Sequence, residues 1–146
     1  MSARIDPAEP CPFCELLRQG MDHPAAIARL RSGLAILNVD QRYRGRAVLI
    51  FDRHEDTIDA LTAVEFAAFG EDMRRLSRAV AVVGRAHRMN QALLGNVVGH
   101  VHWHIIPRRE DDPNWGGPPW PVEASQPLAD ETAYRTLAEQ IAEQIA

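Results

Sequence analysis

Three histidines alternate with apolar residues in residues 99–107, and this spacing is the most chemically informative pattern in the chain. Alternate side chains of a β-strand project from one face, so we expect His100, His102 and His104 to share a face, about 7 Å apart. A solvent-facing edge strand would more often carry Thr, Lys or Glu there. Two chemistries fit the pattern. Alternating imidazoles can hold a catalytic metal, or one imidazole can attack phosphorus while its neighbours orient it and protonate the leaving group.

A second group of reactive side chains is the pair Cys11 and Cys14, in the sequence Cys-Pro-Phe-Cys. A glutaredoxin-like redox pair has much the same spelling, but it follows an apolar strand, whereas residues 1–10 are polar and contain proline. A structural zinc site would need two further ligands, because structural zinc binds four. Two buried, reduced thiols are the third interpretation. The cysteines alone leave all three open.

The composition excludes several classes of function. The chain has 146 residues, 16 basic and 20 acidic, with a net charge of −4, and every basic residue is Arg. Without Lys there is no P-loop lysine and no Schiff-base chemistry. A dispersed negative charge argues against general nucleic-acid or anionic-membrane binding. No apolar run approaches the roughly 18 residues of a membrane span, and no signal peptide is visible, so we expect a cytoplasmic protein.

Short apolar runs predict the strands that must position these residues. They cover residues 34–39, 47–51, 91–98 and 99–107. The first two are predicted to form a hairpin, and Gly95 makes the third irregular. Pro107 is placed where the last strand should stop.

Helical patterns occupy most of the remaining chain. Thr62 and Glu65 have the spacing of a capping box, and an apolar stripe behind them predicts a helix of about six turns. Residues 110–127 are a loop by composition, and a final helix is predicted from about residue 128 to 146. Strands in hairpins around one long helix predict a single α+β domain.

The segment His100-Val101-His102-Trp103-His104-Ile105-Ile106 resembles the signature of the histidine triad (HIT) superfamily. The preceding segments come in the matching order, over about residues 11–120. The resemblance implies an α+β fold with a mainly antiparallel sheet of about five strands, one long helix and a C-terminal helix. Residues 1–127 would form the HIT-like domain, and residues 128–146 a helical extension of it. It also implies a homodimer that acts on nucleoside phosphates.

The resemblance also implies roles for two members of the triad. His102 would be the nucleophile that attacks the α-phosphorus and forms a nucleotidyl-histidine. His104 would contact the phosphate and the leaving group. The implied activity is that of a nucleoside-phosphate hydrolase or nucleotidyl transferase with a small-molecule nucleotide substrate.

The same resemblance implies which residues bind the nucleotide. Asn38 falls where family members place an Asp or Asn that contacts the ribose hydroxyls, and Asn90 lies near a phosphate-contacting position. Many members carry a Gly-Gln-Ser-type loop before the triad, but this chain has Gly-Asn-Val-Val-Gly at residues 95–99. Asn96 and the backbone, with Gly99 ending the loop, would therefore have to meet the phosphate without a hydroxyl.

Some triad proteins, and the related hexose-1-phosphate uridylyltransferases, bind metal through an N-terminal Cys-x-x-Cys and two histidines. The matching positions here are Cys11, Cys14, His54 and His100. The resemblance thus implies a structural zinc ion, with His100 a ligand and not a participant in the chemistry.

Two alternatives remain beside the nucleotide hydrolase or transferase. One is a non-catalytic nucleotide-binding or signalling module that has lost activity with its altered loop, and the other is a metal-dependent hydrolase with the triad as its metal site.

Trp115 and Trp120 resemble the aromatic residue that family members often place near the partner's site. Arg108 and Arg109 are expected to add positive charge beside the triad.

Overall fold

A computed structural model describes residues 10–120 and 124–146, which form helices around a five-stranded antiparallel sheet. The strands, in chain order, are β1 (Ala26–Arg29), β2 (Gly33–Leu37), β3 (Ala47–Phe51), β4 (Arg88–Ala92) and β5 (His102–Arg108). Their order in the sheet is β1-β2-β3-β5-β4, so β5 lies between β3 and the edge strand β4. The predicted α+β fold is confirmed.

In the described part of the chain, three α-helices accompany the sheet: α1 (Pro12–Gln19), α2 (Ala63–Val83) and α3 (Glu131–Gln144). The predicted capping box starts α2. The Glu65 N–H donates to Thr62 Oγ1 at 3.1 Å, and the Thr62 N–H donates to Glu65 Oε1 at 3.0 Å. Two N–H groups that the helix itself cannot satisfy are thereby paired, which fixes where the helix begins.

The core lies between one face of the sheet and α2. Phe69 of α2 is fully buried, with ring centroids 5.4 Å from Phe51 and 6.0 Å from Trp103 of β5. Because side chains alternate along a strand, Trp103 towards α2 means that His102 and His104 project from the opposite face. The helix layer thus sets which face of the sheet carries the triad.

Several local predictions differ from the structure. Helix α1 and strand β1 were not predicted, and both are short, with eight and four residues. In α1, the spacing of Phe13, Leu16 and Leu17 is typical of one helix face and was overlooked. The strand predicted over residues 91–98 is wrong: β4 ends at Ala92, and residues 93–101 form a loop that leads into β5. Pro107 lies inside β5, paired with Met89 of β4. Strand β3 does not extend as far as Pro107. The N–H group that proline lacks therefore removes no hydrogen bond between β5 and β3.

Helix α3 packs against α2 and β1 through buried apolar side chains such as Leu137 and Ile141. The division of the chain at residue 127 stays a prediction. Within the described residues, no helix is both long enough and apolar enough to cross a membrane.

Gly33 tests the close pairing of β2 with β3. A Cβ at this position would lie 2.0 Å from the carbonyl oxygen of Ile50, which is backbone and cannot move aside cheaply. We expect Gly33→Ala to lower the free energy of unfolding by roughly 1–3 kcal/mol, measured by urea denaturation. Gly70 in α2 has open space around its Cα, so Gly70→Ala should stabilise the protein by up to about 1 kcal/mol. Equal stability of Gly33→Ala and the wild type would contradict this account.

Candidate functional site

Strand β5 holds two histidines of the triad in the middle of the sheet. His102 pairs with Ile50 and His104 with Val48, both on β3, so the two imidazoles are neighbours on the face opposite α2. His100 precedes the strand and is completely buried. Its ring turns towards the N-terminal segment, so the structure separates it from the other two.

A candidate metal centre lies where His100 meets the N-terminal segment. The ligand atoms of Cys11, Cys14, His54 and His100 all lie within 4.8 Å of one another. The Sγ of Cys11 is 3.5 Å from His100 Nδ1, and the Sγ of Cys14 is 3.4 Å from His54 Nδ1 and 3.7 Å from His100 Nδ1. Tetrahedral zinc with ordinary Zn–S and Zn–N bonds separates such ligands by about 3.4–3.8 Å. The donor set and its spacing therefore fit zinc.

The surrounding structure holds these ligands in place. Cys11 is the N-cap residue of α1, and its Sγ accepts the Cys14 N–H at 3.4 Å, so the start of the helix sets the spacing of the two thiols. His100 Nε2 donates to the Phe51 carbonyl at 2.8 Å, which leaves the Nδ1 lone pair directed at the thiols. Burial, followed by the neighbouring Cys11, raises the pKa of the Cys14 thiol. A bound cation would offset that effect and favour the thiolate.

Hydrogen bonds determine the tautomers of the other two histidines. His102 Nδ1 lies 2.6 Å from the His100 carbonyl oxygen, which only accepts, so Nδ1 carries the proton and Nε2 carries a lone pair. His102 Nε2 is 3.1 Å from His104 Nε2, so His104 must donate from Nε2. His104 Nδ1 is then an acceptor, and it is buried with no hydrogen-bond partner among the described residues.

These tautomers require both imidazole rings to be uncharged, and the lowered pKa values of the two histidines meet that requirement. Burial lowers the pKa of His102. Burial, then His102 and then Arg46 lower the pKa of His104 to about 4. Both rings therefore favour the uncharged form at neutral pH, and the Nε2 lone pair of His102 accepts the His104 Nε2–H.

Aromatic side chains flank this pair of histidines. The ring of Phe13, from α1, lies 4.6 Å from that of His102, and the ring of Trp120 lies 5.8 Å from that of His104. Trp115 instead contacts His87, outside the site. Of the two tryptophans singled out in the sequence, only Trp120 approaches the triad of its own chain.

Comparison with known proteins identifies the family. A family model for the HIT domain matches residues 25–111, more than half of the chain. The chain belongs to the HIT family. A histidine triad protein from Sinorhizobium meliloti has a similar structure, with 30% sequence identity, a TM-score of 0.76, and coverage of 89% of this chain and 93% of that one.

Two further HIT relatives are similar at lower identity or over part of their length. An AP-4-A phosphorylase of Mycobacterium tuberculosis is 27% identical over 122 residues, which span 80% of this chain but only 58% of the enzyme. A zinc-bound histidine triad family protein from Mycobacterium smegmatis shares the fold, with 23% identity, a TM-score of 0.69, and coverage of 92% and 94% of the two chains.

The predicted nucleotide-binding residues of this HIT protein lie in different settings. Asn38 follows β2, and its Oδ1 accepts the Asp40 N–H at 3.0 Å. Asn90 lies on β4, opposite Ile106 of β5, and so shares the face of His104. The binding roles of Asn38 and Asn90 stay predictions.

The loop before the triad lines a cleft of about 540 Å³ beside His100. Asn96 is exposed and Gly99 is buried, and both line this cleft. Val97, where many family members have a hydroxyl, is 95% exposed. The loop thus presents an amide, backbone groups and an apolar side chain.

Arg108 and Arg109 do not provide free positive charge at the triad. Arg108 is buried, and its guanidinium donates to Asn90 and Asp112 and to the backbone carbonyls of residues 113, 114 and 117. Arg109 donates to Asp111 and to the Arg85 carbonyl. Arg108 therefore holds Asn90 and the loop after β5 in place, whereas Arg109 makes its contacts at the protein surface.

Sequence reasoning missed two residues of this site. Phe13 lies inside the Cys-Pro-Phe-Cys motif and was considered only as a spacer. Arg46 is buried and lies two residues before Val48, the partner of His104. Alternation along β3 could have placed Arg46 on the triad face, had its pairing with β5 been known.

The candidate metal centre predicts how zinc should respond to mutation. We expect about one zinc per chain in the wild type by elemental analysis, and its loss with a lower melting temperature in Cys11→Ser and Cys14→Ser, since each removes a ligand. His102→Ala is the matched control and should retain zinc, because His102 is not among the four ligands. Zinc retained in Cys11→Ser but lost in His102→Ala would instead favour metal at the triad.

Proposed function

We propose that this HIT protein is a nucleoside-phosphate hydrolase or nucleotidyl transferase that acts at the α-phosphate through His102. Membership of the HIT family supports a nucleotide-processing activity in general. The AP-4-A phosphorylase relative supports it more weakly, because the similarity covers part of that enzyme. The observation that carries the proposal is the tautomer of His102: the His100 carbonyl accepts its Nδ1 proton, so the lone pair lies on Nε2, next to His104.

In the first step, the His102 Nε2 lone pair attacks the α-phosphorus. A P–N bond forms as the bond from phosphorus to the leaving group breaks. The His104 Nε2–H, which contacts His102 Nε2 in this structure, turns to the leaving atom and donates a hydrogen bond that stabilises the leaving group as it departs with the bonding electrons. His104 keeps its proton, and an amine leaving group takes its proton from solvent. The imidazolium formed on His102 keeps its Nδ1–H bonded to the His100 carbonyl, which stabilises the new positive charge.

In the second step, water or another hydroxyl acceptor attacks the same phosphorus. A P–O bond forms, the P–N bond breaks, and His102 returns to its neutral form. The proton of the attacking molecule passes to solvent, and His104 keeps its Nε2–H throughout. Both histidines end in their starting tautomers, so the cycle closes without a net change in the protein.

The remaining predicted residues bind the nucleotide in this proposal. Asn38 contacts the ribose hydroxyls, and Asn90 contacts the phosphate. Asn96 and the backbone at Gly99 meet the phosphate from the loop side. The bond from Arg108 to Asn90 Oδ1, at 2.9 Å, would orient the amide so that its NH₂ group faces the ligand.

We also propose that the protein acts as a homodimer in the cytoplasm. The edge strand β4 has a sheet partner on one side only, so its outer backbone groups are open to a second copy of the chain. Two free cysteine thiols agree with a reducing compartment.

The covalent step gives a direct test. We expect His102→Ala to lower turnover of dinucleoside polyphosphates and nucleoside phosphoramidates by at least about a thousandfold, since the variant has no nucleophile. Intact-protein mass spectrometry of the wild type, quenched during turnover, should show one added mononucleotide on the peptide that contains His102. His87→Ala, which removes an exposed histidine outside the site, should keep full turnover.

Two outcomes would contradict the mechanism. Full turnover by His102→Ala would show that another group attacks phosphorus. An adduct on His104 in the wild type would show that the two roles are reversed.

A non-catalytic nucleotide-binding module is the second candidate function, and Val97 is the observation that favours it. The exposed valine offers no hydrogen bond where a hydroxyl would contact phosphate. If the protein is an enzyme, Val97→Ser should raise turnover by about tenfold, because a hydrogen bond to a charged group contributes about 1.5–3 kcal/mol. Val64→Ser, which changes an exposed valine of α2, should have no effect. Tight mononucleotide binding by calorimetry without turnover in the wild type or in Val97→Ser would select the non-catalytic function.

A further inference from the structure

Arg46 is a buried cation whose hydrogen-bonding capacity the protein leaves largely unused. The residue is only 6% exposed. Its Nη1 lies 3.9 Å from Asp40 Oδ2, which is too long for a hydrogen bond, and its buried Nε has no partner among the described residues. Burying an arginine with such loose pairing is costly, because the lost hydration is not replaced. Arg108, also buried, shows the contrast, since its guanidinium makes five hydrogen bonds to the protein.

The sheet places Arg46 next to the predicted nucleotide site. The Asn38 N–H donates to the Arg46 carbonyl at 3.0 Å, so the hairpin pairing of β2 with β3 continues to these two residues. Val48, two residues further on, pairs with His104. Residues two apart on a strand share a face, so Arg46 lies on the face of His104, one step along the sheet and beside the predicted ribose contact.

The charge of Arg46 reaches the triad. After burial and His102, Arg46 is the next cause that lowers the pKa of His104. Such an effect requires that the guanidinium and the imidazole interact through a region that water screens poorly. An anion bound between them would be attracted by the guanidinium over the same distance.

Asp40 does not neutralise Arg46 in the manner of a tight ion pair. One of its carboxylate oxygens, Oδ1, accepts the N–H groups of Arg42 at 3.1 Å and Gln126 at 3.0 Å. Its main contacts thus hold the loop after β2 and the segment that follows residue 123. The guanidinium is left with donors that a ligand can use.

We propose that Arg46 binds the 5′-phosphate group of the nucleotide and supplies the positive charge that the neutral histidines lack. The inference rests on the proposed nucleotide site. A guanidinium suits this task because its planar donors match two phosphate oxygens, and because its positive charge persists when it is buried. Arg46 thereby favours nucleotides over uncharged nucleosides, while Asn38 and the apolar residues treat the two alike.

The test compares each 5′-mononucleotide with its nucleoside by calorimetry on the zinc-loaded protein. For the wild type, the mononucleotide should bind more tightly than the nucleoside. Arg46→Met should weaken mononucleotide binding by about tenfold or more, the loss of a hydrogen bond to a charged group, and leave nucleoside binding within about twofold. Arg46→Lys keeps the charge and should recover part of the mononucleotide affinity.

Asp40→Asn is a second variant that keeps the test decisive if Arg46→Met does not fold. Removing the carboxylate charge should tighten mononucleotide binding, because it leaves the positive charge of Arg46 unopposed. Unchanged or weaker mononucleotide binding in Asp40→Asn would overturn the proposal.

The remaining outcomes separate this inference from the proposed function. No binding of any mononucleotide to the wild type would refute the nucleotide site itself. Wild-type binding with equal losses for mononucleotide and nucleoside in Arg46→Met would show that Arg46 only supports the fold. Wild-type binding with no loss in Arg46→Met would show that its charge has no part in recognition.

Discussion

The orientation of His100 is the constraint on which the candidate site depends. Its Nδ1 faces Cys11 and Cys14, its Nε2 donates to the Phe51 carbonyl, and its own carbonyl accepts the Nδ1 proton of His102. A single buried residue therefore links the metal ligands, the end of β3 and the proposed nucleophile. Because the first two contacts use the two nitrogens of one ring, the ring cannot turn without changing both of them.

The same residue explains why the N-terminal helix lies against the face that carries His102 and His104. Helix α1 has eight residues, none fully buried, and a helix of that length is marginal by itself in water. Its attachment comes from partly buried apolar side chains and from the two thiols that converge with His100. Zinc at this centre would fasten α1 to the sheet and hold Phe13 against the ring of His102. A structural metal can in this way shape the surroundings of the nucleophile without contacting the substrate.

How much the sequence could predict depends on the range of the interaction. The capping box at Thr62 and the shared face of His102 and His104 are local patterns, and both were placed correctly. The expectation that His100 shares that face was wrong, because His100 precedes β5 and its ring turns to the two thiols. The four metal ligands are far apart in sequence and were found only through the HIT resemblance. Arg46 could not be recognised, because its position beside His104 depends on the pairing of β3 with β5. The loop over residues 93–101 was mistaken for a strand, since its apolar residues resemble one although no neighbouring strand pairs with them.

The charge distribution of the site is consistent with a nucleophile that is uncharged. In the proposed mechanism His102 attacks phosphorus through an unprotonated Nε2, and burial lowers the pKa values of both His102 and His104, which favours uncharged rings at neutral pH. A polyanionic substrate still requires a positively charged group to bind it. A titratable cation in contact with the proposed nucleophile, however, could exchange protons with that histidine. Arginine retains its proton under all ordinary conditions, and at Arg46 it lies one step along the sheet from His104. A chain without lysine can thus bind a phosphate through the permanent positive charge of an arginine. The protonation of the proposed nucleophile is then set by burial and by its hydrogen bond to the His100 carbonyl.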